Sequence, residues 1–117
     1  MQESYFMSQD QQDAVIGRVN REYKEAANQL ALLEVELAKH REMYARLAEK
    51  LTEIDYVVFD GEQWPEDLYR VAGYRMSDYS FSSDAIDGQK LKVLCRELRA
   101  AKTKRNELAT QLKTLGV

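Results

Sequence analysis

Cysteine occurs once, at Cys95, histidine once, at His40, and proline once, at Pro65. A lone thiol forms no intrachain disulfide, and one thiol with one imidazole falls far short of a Cys/His zinc site. That pattern fits a reducing location, with the cytoplasm as the expected compartment. No run of about 20 apolar residues is present, and the opening MQESYFMSQDQQ has neither a basic leader nor an apolar core, so neither a membrane span nor a signal peptide is expected. Phosphate loops, H-E-x-x-H sites, paired histidines, G-x-S-x-G elbows and calcium loops are likewise missing. The expectation is a protein without enzymatic activity, metal or cofactor.

The chain has 117 residues, 44% apolar and 32% charged, which is room for one soluble domain. Its net charge of −3 conceals segregation. Residues 1–54 carry 7 basic and 10 acidic side chains, residues 55–87 carry 2 and 8, and residues 88–117 carry 8 and 2. An acidic middle and a basic end attract each other within one chain, attract another copy, or offer separate partners two different faces.

Most of the apolar content falls into two heptad seams. Ile16, Val19, Tyr23, Ala26, Leu30, Leu33, Leu37, His40, Tyr44, Leu47, Leu51 and Ile54 recur at alternating spacings of three and four. The spacing predicts one helix over residues 10–54, after a flexible segment at 1–9, and at 1.5 Å per residue it would run about 68 Å. Leu91, Leu94, Leu98, Ala101, Arg105, Leu108, Leu112 and Leu115 repeat the pattern and predict a second helix over residues 88–115, capped by Ser83 or Asp87 and followed by a tail at 116–117. The fold class is therefore mostly all-α, an elongated antiparallel helical hairpin or coiled coil.

Setting Leu91 against Ile54 brings Leu98 to Leu47, Ala101 to Tyr44, Arg105 to His40 and Leu112 to Leu33. His40 and Arg105 then form a polar layer that sets the register. In that register the second helix ends near Leu30, so Ile16, Val19, Tyr23 and Ala26 need another partner. A second copy is the expected one, giving a four-helix homodimer.

The acidic connector, residues 55–87, holds Tyr56, Phe59, Trp64, Tyr69, Tyr74, Tyr79 and Phe81. Such aromatic density exceeds what a tether needs and predicts either a cap over the hairpin tip or a surface that recognises a protein partner. Tyr56–Phe59 favours an extended stretch, Asp60–Gly61 a turn, and Pro65 the first turn of a short helix over residues 65–72 ended by Gly73. After Tyr74 the alternation of serine, aspartate and aromatics predicts irregular structure or one short strand.

Three sets of polar residues bear on chemistry. Asp55, Asp60, Glu62, Glu66, Asp67 and Asp78 have no spacing that separates a magnesium site from ordinary acidic surface. Cys95 fits a buried helix flank better than a nucleophile served by His40. Lys90, Lys92, Arg96, Arg99, Lys102, Lys104, Arg105 and Lys113 make nucleic-acid binding the alternative function, opposed by the acidic connector and by Glu22, Glu25, Glu34, Glu36, Glu42 and Glu49, which are placed to neutralise them.

The order of long helix, connector and long helix, carried by QLALLEVELAKHREMYARLAEKL and LKVLCRELRAAKTKRNELATQLKTL, resembles the prefoldin organisation. That resemblance implies a coiled-coil arm of a hexameric chaperone, a chaperone-like subunit being a further alternative. The connector lacks the pair of β-hairpins that the prefoldin platform requires, and no functional residue is carried over. The leading expectation is a noncatalytic protein-interaction or scaffold protein, because heptad surfaces account for far more residues than any catalytic constellation.

Overall fold

Ser8 and Gln11 start the first helix. In the computed structural model, which describes residues 8–63 and 76–116, Ser8 Oγ accepts from Gln11 N at 3.2 Å and Gln11 Oε1 accepts from Ser8 N at 2.8 Å. This reciprocal capping box satisfies two backbone donors at the helix entry. The helix starts at Gln9, one residue before the expected 10. Helix α1 then runs unbroken over Gln9–Glu53, 45 residues. No proline interrupts it, and it stops where Tyr56, Val57, Val58 and Phe59 favour extended backbone.

The described connector contains strand β1 (Val58–Phe59), a 3₁₀ turn (Met76–Tyr79) and strand β2 (Ser80–Phe81). The strands are parallel, with Val58 beside Ser80 and Phe59 beside Phe81. Asp60 and Gly61 follow β1 with φ of 50° and 76°, and Glu62 N donates to Phe59 O at 3.0 Å. Two successive positive φ values make a type I′ turn, which Asp-Gly accommodates at little cost. The expected turn at Asp60–Gly61 is present. The short helix expected from Pro65 lies outside the described residues.

Helix α2 covers Gly88–Thr114, 27 residues. Between the two candidate caps the structure selects Asp87, whose Oδ1 accepts from Gln89 N at 2.9 Å and Lys90 N at 3.3 Å. Gly116, with φ of 80°, turns the chain out of the helix as its N–H reaches Lys113 O at 3.1 Å.

The two long helices pack as a hairpin, and the chain divides into two compact units. One comprises α1 up to Glu34 with the chain from Cys95 onward; the other runs from Val35 to Leu94. In the first, Val19, Ala26 and Leu108 form a buried cluster against which Val15, Tyr23, Leu112 and Leu115 pack. This register differs from the expected one. Leu112 sits with residues near Val19, not Leu33, a slide of about two heptads toward the N-terminus of α1.

The second unit supplies the physical reason. Its connector folds back on α1: Tyr79 meets Lys50 and Glu53, Phe81 meets Arg46, and Ser82 and Ala85 line a groove with His40 and Met43. From Glu53 to His40 is a span of about 20 Å of helix at 1.5 Å per residue. The connector covers it.

The expected dimer stripe therefore has a different neighbour. Val19 and Ala26 are buried, Ile16 and Tyr23 half-buried, and Leu108, Leu112 and Leu115 of the same chain complete the packing. The uncovered seam from which a second copy was inferred does not exist. Of the two residues expected to set the register, His40 lies by Ser82 and Ala85, and the Arg105 guanidinium reaches Asn106 Oδ1 at 3.2 Å.

Candidate functional site

The described side of the connector cap is built on the last turns of α1. Arg46, Lys50 and Glu53 sit at spacings of four and three, which align them along one side of a helix. Tyr79 is fully buried; its hydroxyl donates to the Glu53 carboxylate, and the Lys50 ammonium lies 5.2 Å from its ring centroid. Lys50 Nζ is also 3.5 Å from Glu53, so base, acid and phenol form one cluster. One turn earlier, the Arg46 guanidinium lies 4.7 Å from the Phe81 ring centroid and donates to Ser77 O at 2.8 Å. Phe81 is 2% exposed and meets Phe59 at a centroid distance of 6.1 Å, tilted by 44°. Contacts of this kind add cation attraction and ring packing to simple burial.

Asp60 ties the two halves of the described connector together. Ser83 N donates to Asp60 Oδ1 at 3.0 Å, Ser83 Oγ donates to Oδ2, and Asp60 N donates to Phe81 O at 3.0 Å. Ser83 thus clasps the turn instead of capping α2.

These bonds set the charge states of two carboxyls. The Tyr79 hydroxyl, with help from Lys50, holds Glu53 below its ordinary pKa against the opposing effect of desolvation. The Ser83 hydroxyl and amide do the same for Asp60. Both groups bind protons more weakly in the folded than in the unfolded chain. Their contribution to stability is present above the ordinary carboxylate pKa of about 4 and is lost as pH falls through the depressed folded values. The expected result is that the cap loses stability as pH falls below about 4, read from the Tyr79 and Phe81 ring resonances, with a smaller acid-sensitive step in Glu53→Gln. Ring resonances that do not respond to acid at all would contradict it.

The cap redistributes the expected recognition residues. Tyr79 and Phe81 are withdrawn from any exposed surface, Phe59 and Tyr56 are half-buried, and Trp64, Tyr69 and Tyr74 lie outside the described residues. Arg46, Lys50 and Glu53 were not singled out in the sequence, since on a long charged helix they resemble solvated exterior. Their only signal is alignment along one side at the end facing the connector.

The remaining candidates are dispersed. Cys95 is exposed, not buried on a helix flank. Among the described residues no three His, Cys, Asp or Glu side chains are placed to hold a metal ion, and no helix is long and apolar enough to cross a membrane. The ion pairs among them are Lys39 with Glu36, Lys50 with Glu53 and Lys90 with Asp84. Among the described residues no ion pair joins Lys92, Arg96, Arg99, Lys102, Lys104 or Lys113 to a glutamate of α1. Four large apolar side chains stand in solvent on the helices: Leu32 at 64% exposure, Val35 at 54%, Leu51 at 45% and Val93 at 42%.

No family model, curated protein or solved structure matches this chain.

Proposed function

We propose that the chain is a noncatalytic protein-interaction or scaffold module that makes its contacts through exposed helix surfaces. The observation that carries the reading is the placement of its large apolar side chains. Tyr79 and Phe81 are consumed inside the cap, whereas Leu32 and Val35 on α1 are more than half exposed. Exposed branched side chains gain from burial only when another surface covers them, at about 25 cal/mol per Å² of apolar area.

Leu32→Asp and Val35→Asp, singly and together, test the reading. Exposed substitutions of this kind shift stability by roughly 0.5 kcal/mol or less, so the fold persists while the surface changes sign from attractive to repulsive. The expected outcome is stoichiometric capture of a defined protein by the wild-type chain and at least tenfold weaker capture by the double variant. Capture unaffected by the double variant, or reproducible turnover of a small molecule by purified chain, overturns it.

A further inference from the structure

The unit formed by α1 up to Glu34 and the chain from Cys95 onward holds a groove of about 300 Å³ between its two helices. Val15, Arg18 and Val19 line it from α1, at spacings of three and four that set them along one side of that helix. Thr110, Gln111, Thr114 and Leu115 line it from the last turns of the chain's second helix. Val19 is buried in the cluster with Leu108, whereas Val15 and Leu115 are only half-buried and keep apolar surface in contact with solvent. The threonines add to that surface. The Thr110 hydroxyl donates to Asn106 O and the Thr114 hydroxyl to Thr110 O, both at 3.0 Å. Hydroxyls bonded back to the preceding turn are spent as donors, so the methyl groups are what these side chains offer a ligand. No carboxylate lines the groove. Its uncommitted donors are the Arg18 guanidinium and the Gln111 carboxamide, both exposed, and among the described residues Arg18 makes no ion pair. The groove beside His40 differs in sign, being lined by Glu36, Glu42 and Asp84.

We propose that this groove binds a free aliphatic carboxylic acid, its carboxylate on Arg18 and its chain against Val15, Val19 and Leu115. A guanidinium without an internal partner selects an anion, and its planar fork matches a carboxylate through directed, charge-assisted hydrogen bonds. The valine, leucine and threonine methyls select an aliphatic body, because a sugar or nucleotide placed there would leave its own polar groups unpaired. The volume stands at the lower end of the range of about 300–1,000 Å³ usual for small-molecule sites, which suits an acid the size of octanoate or decanoate. A peptide ending in a carboxylate presents the same anion, but an extended main chain needs backbone partners. The α1 backbone at Val15–Val19 lies well inside a helix and is already bonded there, so it has none to give.

The inference goes beyond the reading of the chain as an interaction module and is tested without it. Decanoate, titrated below its micelle concentration into the full methyl-labelled chain, is expected to shift the methyl resonances of Val15, Val19, Thr110, Thr114 and Leu115 saturably, with Kd below about 1 mM. Octanoate should bind more weakly, by roughly two- to fourfold for each methylene lost, and uncharged decanol about threefold or more weakly than decanoate. Arg18→Gln is expected to bring decanoate down to the level of decanol, and Arg18→Lys to keep part of the preference for the acid. Thr114→Val retains the methyl surface and the binding, whereas Thr114→Trp fills the groove and abolishes it with helical circular dichroism unchanged, since the position is exposed. No saturable shift at these methyls, equal affinity for decanoate and decanol, indifference to Arg18→Gln, or binding that survives Thr114→Trp overturns the proposal. So do groove resonances that move with protein concentration in the absence of acid, which would put a second copy there, and tighter binding of a leucine-terminated peptide than of decanoate. None of these results alters the Leu32 and Val35 capture test, so the two readings fail independently.

Discussion

Val19→Asp is expected to destroy the pairing of α1 with α2 in the unit that holds both helix ends. Val19 is 2% exposed and shares a cluster with Ala26 and Leu108, so an aspartate there sets a carboxylate against apolar side chains. A buried carboxylate without a partner either stays charged at a large desolvation cost or takes up a proton, and both routes lose the packing. The expected loss is about 4 kcal/mol or more, a large share of the 5–15 kcal/mol typical of a domain. Leu108→Ala, across the same cluster, should cost about 2–5 kcal/mol through lost burial and the cavity left behind. Urea unfolding in 500 mM salt checks both. The decisive feature is concentration independence, because Val19 is covered from within its own chain. A variant that stays fully helical and merely changes oligomeric state would restore the dimer stripe and refute the observed register.

The second large effect falls on the cap. Tyr79→Ala removes a fully buried ring, its hydroxyl bond to Glu53 and the surface beneath Lys50 together. Truncations of buried aromatics cost about 3–5 kcal/mol, and here the loss is expected to be local, as faster amide hydrogen exchange over residues 77–83. Tyr79→Phe separates the contributions. It keeps the ring and its packing but deletes the hydroxyl, so exchange should accelerate far less and the Glu53 carboxyl should return toward its ordinary pKa. Equal protection in wild type and Tyr79→Ala would show that the cap does not depend on this ring.

Both helices could be read from spacing, because heptad repeats with strong helix formers determine local structure almost without tertiary help. The Asp60–Gly61 turn and the Asp87 cap were legible for a similar reason, since each depends on a few neighbouring residues. Register was not. Sliding α2 by two heptads carries Leu112 from Leu33 toward Val19 and still sets seam against seam, so periodicity alone cannot distinguish the two alignments. What distinguishes them is how much of α1 the connector occupies. That rests on contacts such as Arg46 with Phe81 and Ser77, which join residues 31 or more positions apart. The β1–β2 pairing is similarly hidden, being two residues long on each side and joined by a distant crossover. The capping box at Ser8 and Gln11 is visible as S-x-x-Q, and the helix starts one residue before the expected 10. For the candidate site, the aromatic residues announced themselves and the α1 side chains that receive them did not.

The cap has a further consequence for how the hairpin comes together. Val19 and Leu108 must meet across most of the chain's length, and the entropy of closing a loop grows with the logarithm of its length. The bonds from Ser83 to Asp60, Tyr79 to Glu53 and Ser77 to Arg46 bridge separations of only 23, 26 and 31 residues. Those shorter closures form at lower entropic cost, and once made they subtract their span from the segment still to be closed. A connector closed first from Ser77 to Arg46 shortens the 89-residue separation of Val19 and Leu108 by 31, so Tyr79→Ala is expected to slow folding of a seam that Tyr79 itself is not part of.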